Sequence, residues 1–297
     1  MDRGSMALLA LNLSSREVSL KNLDKLPRLS PLMMQFISLL AQPGCEVEDL
    51  VSVVEKDAVL SAQILQRANS ALFGRIQRIR SVQHAIAMLG IGTMRRFALG
   101  SSISNLFSRQ QTAPSFSISR FNVHSVATGT LVEILAEELP VQARGSAFIS
   151  GLLHDIGKLL IATQMPKRFE EVLEMAAISG DPLIECERQL LGTDHAEMSA
   201  LAIERWELDE AIGVAAHHHH QPEMAKDAER TPVNRISLTQ VVHTADAFVN
   251  YLGMSVLPAI AAPNVVPALE FAGFPYPSAR VKDRFHAEWK NLWTLFK

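Results

Sequence analysis

The chain has 297 residues, of which 48% are hydrophobic and 20% charged. This balance is typical of a packed globular protein and excludes an intrinsically disordered one, and the length predicts one large domain or two lobes. The formal net charge of -3 excludes a general attraction to nucleic acid or to anionic membranes. No apolar run reaches the roughly 18 residues of a membrane span, and Cys45 and Cys186 form no C-x-x-C motif. We therefore expect a cytoplasmic protein without a membrane segment or a disulfide.

The first third of the chain predicts helices almost throughout. Apolar residues recur at helical spacing in three stripes: Leu32, Phe36, Leu39 and Leu40; Val47, Leu50, Val51 and Val54; and Leu60, Ile64, Leu65 and Ala68. Ser81 is placed to cap a helix over 82–89, which we expect to end with Gly90 in a left-handed conformation. A further helix is predicted from Thr93 to about Phe107.

The polar segment 109–119, RQQTAPSFSIS, loses this periodicity and contains Pro114. We place a boundary there, between a helical lobe over 20–112 and a second helical lobe over 113–255. Residues 1–19 are expected to be a linker or a domain remnant. Residues 256–297 are expected to form a proline-punctuated connector and a terminal helix over 279–296. Because strand-like alternation is scarce, the predicted fold is all-α, with the two lobes packed on each other.

Residues 82–100, VQHAIAMLGIGTMRRFALG, offer one nucleic-acid alternative. Two predicted helices meet at a short glycine turn, with Arg95 and Arg96 opening the second helix and Arg75, Arg78 and Arg80 preceding the first. This arrangement resembles a DNA-binding helix-turn-helix, whereas the alternative is a packed hairpin with solvated arginines. The second helix is rich in apolar residues, which leaves few positions for reading bases. We therefore expect no direct DNA binding.

The second lobe carries imidazoles and carboxylates on successive predicted helices. His124 lies on an apolar helical face, and GLLHDIGKLLI (151–161) places His154 and Asp155 in an apolar stretch with Lys158 on the same side. Burying such groups is costly unless a partner or a metal satisfies them. Asp194 and Glu197 have the spacing of a capping box, which places His195 in the first turn of a helix.

Two later segments complete the set. VAAHHHHQPE ends in His219 and His220, and VVHTADAFVN contains Asp246. Imidazole and carboxylate together suit iron, manganese, zinc or nickel better than calcium. The candidate metal ligands are His124, His154, Asp155, His195, His219, His220 and Asp246. The alternatives are core histidines bonded to backbone groups, an exposed four-histidine loop, and a purely structural His-Asp pair.

These residues carry a resemblance to known families. His124, His154-Asp155 and Asp246 match the H…HD…D motif of the HD superfamily of metal-dependent phosphohydrolases, and HDIGK with the later histidines resembles its HD-GYP branch. LPRLSP, EDLVSVVEKDAVLSAQILQRANSALFG and IRSVQHAIAMLGIGTMRRFAL closely resemble the first lobe of the HDOD family, the "HD-related output domain". The resemblance covers about residues 20–255. It implies an all-helical output module of bacterial signalling proteins, often found beside receiver or other sensory domains.

The resemblance leaves two functions open. A non-catalytic regulatory module would act by contact with a protein partner or an upstream sensory domain, and it is favoured because QPEMAKDAERTP follows His220 where an HD-GYP enzyme has a Gly-Tyr-Pro loop. A metal-dependent phosphohydrolase, such as a cyclic-dinucleotide phosphodiesterase, is favoured by the intact ligand set. In that enzyme Lys158 would stabilise the developing phosphate charge. A homodimer through the aromatic stripe of the terminal helix remains an option.

Overall fold

The computed structural model describes residues 16–17, 20–41, 46–71, 79–107, 110–225, 232, 234–257, 269–271 and 274–296. The described residues form an all-α fold with one small hairpin. In chain order the helices are α1 (Pro31–Ala41), α2 (Val47–Val54), α3 (Ala58–Ala71), α4 (Val82–Leu89), α5 (Ile91–Phe107), α6 (Ile118–Glu138), α7 (Ala147–Leu153), α8 (Ile156–Gln164), α9 (Pro166–Ser179), α10 (Leu183–Leu191), α11 (His195–Arg205), α12 (Glu210–His218), α13 (Leu238–Tyr251) and α14 (Ala279–Phe296). Short 3-10 turns occupy Asn22–Lys25, Arg144–Ser146 and Pro222–Met224.

Side-chain caps begin several of the N-terminal helices. Asp57 accepts hydrogen bonds from the amides of Val59 and Leu60 and so caps α3. Ser81 caps α4, as predicted, by accepting from the amide of His84 at 3.1 Å. α4 also ends at Gly90, which has the expected positive φ, at 87°, although its ψ of 146° lies outside the left-handed helical region. This extended turn starts α5 at Ile91, two residues before the predicted start.

α5 is packed in the core along much of its length. Arg96 is 6% exposed and pairs with Glu133 on α6 and Glu288 on α14. Arg95 also pairs with Glu133. Two of the five arginines of the helix-turn-helix alternative are therefore bound within the protein, while Arg75 and Arg78 lie outside the described residues.

One continuous hydrophobic core joins the parts of the chain on both sides of segment 110–117. Its buried members run from Leu23 through Phe107 and Phe121 to Leu295. α14 contacts α3 and α5 as well as α6, so the terminal helix lies against both predicted lobes. In α14 the buried residues are Val281, Phe285, Leu292 and Leu295, whereas Trp293 of the predicted stripe is 38% exposed. The boundary between lobes stays a prediction.

The C-terminal connector contains a feature that the sequence did not predict. Leu269–Phe271 (β1) pairs antiparallel with Phe274–Tyr276 (β2). Some sequence features lie outside the described part of the chain: connector residues 258–268 and 272–273, the first fifteen residues, the basic positions Arg75 and Arg78, and Cys45. Cys186 is a buried free thiol. Segment Arg144–Gln164 is long and apolar enough to cross a membrane by length and composition, but 83% of it is buried in the protein.

Candidate metal centre

α6 presents His124 to the centre of the second lobe. Ser117 caps this helix by accepting from the amide of Arg120, and His124 is 1% exposed. Its Nδ1 lies 3.1 Å from the carbonyl oxygen of Met254. Because a carbonyl oxygen only accepts, Nδ1 carries the proton and Nε2 of the neutral ring presents a lone pair.

His154 and Asp155 lie in a break between two helices. The sequence predicted that both belong to one continuous helix, and this is wrong: α7 ends at Leu153 and α8 begins at Ile156, with Asp155 at φ -105° and ψ 12°. The break turns both side chains toward the centre. The Nδ1 of His154 donates to the carbonyl of Gly151 at 2.8 Å, so its Nε2 is again a lone pair.

His195 is oriented by a buried carboxylate from a neighbouring helix. Asp194 caps α11 through the amide of Glu197, as predicted. Glu197 does not complete a capping box, however, because its carboxylate accepts from the hydroxyl of Thr193. On α10, Oε2 of Glu187 accepts from both the amide and Nδ1 of His195, at 2.8 and 2.6 Å. This contact turns Nε2 of His195 toward Asp155, 3.5 Å away.

His219 and His220 follow the last turn of α12, and the alternative of an exposed four-histidine loop fails for His219. His219 is fully buried, whereas His220 is exposed at the mouth of the centre. The Nδ1 of His219 donates to the carbonyl of Ala216 at 2.7 Å. Its own carbonyl accepts from Nδ1 of His243 on α13, also at 2.7 Å. These backbone contacts hold the His219 ring.

Four ligand atoms converge in the first group, formed by His124, His154, Asp155 and Asp246. Nε2 of His124 lies 3.3 Å from Nε2 of His154, 3.4 Å from Oδ2 of Asp155 and 3.2 Å from Oδ1 of Asp246. Nε2 of His154 lies 3.5 Å from both of those carboxylate oxygens. Tetrahedral ligands about 2.1 Å from one ion are about 3.4 Å from each other. The spacing of this group therefore fits a single tetrahedral ion.

A second group lies on the other side of the Asp155 carboxylate and contains His195, His219 and His220. Nε2 of His195 and Nε2 of His219 are each 3.5 Å from Oδ1 of Asp155, and Nε2 of His220 is 2.8 Å from that of His195. Oδ1 of Asp155 and Nε2 of His219 are both buried, and neither receives a hydrogen bond from any residue that the structure describes. Two bare acceptors side by side cost free energy that a cation would recover.

The pKa shifts of two ligand histidines also favour a cation in the second group. Burial acts to lower the pKa of His124, but Asp155 and Asp246 outweigh it and raise that pKa to about 9. Burial lowers the pKa of His219 to about 4. His219 is therefore neutral near pH 7 and has no proton at Nε2, whereas a proton on His124 could stand in for a cation at the first group only. His219 therefore supplies no proton to Oδ1 of Asp155.

Lys158 and two further contacts surround the ligands. Nζ of Lys158 donates to Oδ2 of Asp155 at 2.6 Å, on the side that the sequence predicted. Lys158 and, more weakly, His154 hold the pKa of Asp155 well below its ordinary value, although burial acts to raise it. Asn250 donates to Oδ1 of Asp246 at 2.7 Å. Lys158 therefore forms an ion pair with one of the candidate ligands.

All seven predicted ligands lie in these two adjoining groups, and their role as ligands stays a prediction. The sequence analysis did not identify Glu187 or the carbonyl of Met254. Glu187 lies eight residues before His195 and belongs to no spacing rule, so its signal was only that of a charged residue at a buried helical position. A backbone carbonyl has no sequence signal.

The comparisons with known proteins agree with the fold. A family model described as "HDOD domain" matches residues 26–222. An uncharacterized protein of Treponema pallidum (strain Nichols) is 23% identical over 202 residues, which are 67% of this chain and 39% of that protein. The chain thus spans less than half the length of this relative.

Three solved structures share the fold. An HDOD domain protein of unknown function from Geobacter sulfurreducens has a TM-score of 0.66 at 22% identity, covering 96% of this chain and 88% of its own. A Marinobacter aquaeolei VT8 protein, provisionally named for signal transduction, has a TM-score of 0.71 at 20% identity, and the match covers 96% of this chain and 64% of that protein. A Shewanella amazonensis SB2B protein, provisionally named a phosphohydrolase, has a TM-score of 0.64 at 20% identity, and the match covers 94% of this chain and 98% of that protein. With its family model matched over most of its length, this chain belongs to the HDOD family.

Proposed function

We propose that the chain is a cytoplasmic signalling module that holds a divalent metal centre for structure and acts on a protein partner by contact, without catalysis. The observation that carries this proposal is the closure of the centre. Of the seven candidate ligands, all but His220 are buried. A structural metal site is saturated by protein ligands, whereas a catalytic one keeps an open coordination position.

The first group supplies the saturated site. His124, His154, Asp155 and Asp246 would hold one ion with four protein atoms, and their contacts to Met254, Gly151 and Asn250 orient three of them. Such an ion would link α6, the α7–α8 break and α13. Iron, manganese, zinc or nickel suit these ligands. A metal in this position stabilises the fold that the partner reads.

A second candidate function is metal-dependent phosphohydrolysis, and one observation favours it. Asp155 presents its two oxygens to two adjoining groups, and His220 in the second group is exposed. Two ions held in this way could supply a nucleophilic hydroxide and a clamp for a phosphate. Against this candidate, the cation nearest to the ligands, Lys158, is bound to Asp155.

The test is a turnover assay with full-length protein. The protein is loaded with manganese or iron, its metal content is measured, and cyclic di-GMP and bis(p-nitrophenyl) phosphate are offered as substrates. We expect a stoichiometric metal without turnover above that of the Asp155→Ala variant. Turnover by the wild type that disappears in Asp155→Ala would establish the phosphohydrolase, and absence of any bound metal would remove the structural centre from the proposal.

A further inference from the structure

An apolar groove of about 540 Å³ lies between α11 and α12, outside the metal centre. Its apolar lining includes Leu201, Ile203, Leu208 and Val214. Three of these four side chains are only partly buried. A single chain seldom leaves a groove of this kind to water unless something binds in it.

The rim of the groove is acidic. Glu197, Glu204, Asp209 and Glu210 line it, together with His217 and His218 from the end of α12. Glu204, Asp209 and Glu210 are exposed. The chemistry of the groove therefore suits an apolar segment that is flanked by a basic residue.

The N-terminal part of the same chain leads directly to this groove. Arg205, in the last turn of α11, donates to the carbonyl of Leu23 at 2.8 Å and to Asp24 at 2.7 Å. Arg16 pairs with Glu197 in the first turn of the same helix. Arg16 and Asp24 thus contact opposite ends of α11, and Arg16 lies at the rim of the groove, because Glu197 is itself a lining residue.

We propose that residues 6–13, MALLALNL, occupy the groove between α11 and α12. This segment has seven apolar residues out of eight, and only Ser14 and Ser15 separate it from Arg16. Eight residues span at most about 28 Å when extended and about 12 Å as a helix, so either form matches the 11-residue helix α11. A two-residue tether gives the segment a high effective concentration at the groove, which a free partner would have to exceed.

The proposal makes the groove a self-covered surface and does not depend on the metal centre. A partner of the same chemistry, with an apolar stretch beside a basic residue, could use the groove only after displacing residues 6–13. The chain would then switch between a covered and an open surface by competition alone.

The experiment is a photo-cross-linking measurement on the full-length chain. A His217→p-benzoylphenylalanine variant places the reactive group on the exposed rim, and Ile178→p-benzoylphenylalanine, an exposed position on α9, is the matched control. Trypsin releases the segment as peptide 4–16, since Arg3 and Arg16 flank it. We expect this peptide to be cross-linked to the α12 peptide in the rim variant and at least tenfold less in the control.

Two further arms make the result decisive. Adding Leu9→Asp and Leu11→Asp to the rim variant should lower the cross-link yield at least tenfold, while Asn12→Asp, which also adds a charge, should change it less than twofold. Mixing ¹⁵N-labelled and unlabelled chains should give no mixed-label cross-link. Absence of the 4–16 cross-link, its persistence in the double variant, or a mixed-label product from a second copy would each overturn the proposal.

Discussion

Oδ1 of Asp155 lies 3.5 Å from Nε2 of His219, and within the described part of the chain neither of these buried atoms has a hydrogen-bond donor. The other oxygen of the same carboxylate lies 3.4 Å from Nε2 of His124. One side chain is therefore shared between the two ligand groups. Because Asp155 is shared, substituting it should affect metal binding differently from substituting a ligand that belongs to one group.

We expect Asp155→Ala to abolish metal binding, because its carboxylate offers an oxygen to each ligand group. His219→Ala should leave the metal of the first group in place, because His219 is not one of its four ligands. Elemental analysis of the purified full-length variants measures the metal content per chain. His286→Ala, an exposed histidine on α14, is the control and should retain the wild-type content. Equal metal content in Asp155→Ala and wild type would contradict the assignment.

Glu187→Ala should weaken metal binding about 10- to 100-fold, the usual effect of losing a carboxylate that orients a ligand histidine. The reason is that Glu187 holds Nδ1 of His195 in the protonated tautomer, which leaves Nε2 free as a ligand. Glu185→Ala, two residues earlier on α10 and bonded to Arg188 at the surface, is the matched control. Competition with a chromogenic chelator measures the affinities, and equal values for the two variants would show that Glu187 only packs.

Gly157→Ala should destabilise the protein by about 3 kcal/mol or more, beyond ordinary overpacking. A Cβ at this position would lie 2.0 Å from the carbonyl oxygen of His195, which is backbone and cannot rotate away. Gly213→Ala on α12 is the control, because its Cβ would meet nothing closer than 3.6 Å. We expect the control to be neutral or stabilised by up to about 1 kcal/mol through helix propensity. Urea unfolding measures both, and a neutral Gly157→Ala would refute the close contact between α8 and α11.

Asp57→Ala should lower the free energy of unfolding by about 1 kcal/mol, since it removes the cap of α3. The Asp57 carboxylate accepts from two backbone amides there, at 3.0 and 2.9 Å. Asp57→Ser should restore most of the loss, because a serine hydroxyl can accept the same bonds. Thermal unfolding of the three proteins tests this, and a serine variant as unstable as the alanine variant would show that the cap is not the cause.

The sequence alone was sufficient for the all-α class and for the choice of candidate ligands. Periodicity is a local property, so the bounds of α4 and α14 followed from residues within the elements themselves. Ser81 and Asp194 are caps for the same reason. The inward direction of His124 followed from the apolar face that it shares.

Only the tertiary structure decided how these residues meet. The break at His154-Asp155 and the close contact of Gly157 with His195 from α11 belong to no local pattern. Three further features are contacts between residues apart in the chain: the division of the Asp155 oxygens between two groups, the hydrogen bonds that His195 donates to Glu187, and those that Arg205 donates to Leu23 and Asp24. A sequence pattern indicates which side chains are buried, because the buried face of a helix has apolar residues at a regular spacing. It does not report which buried atoms face each other, because that depends on how the helices pack.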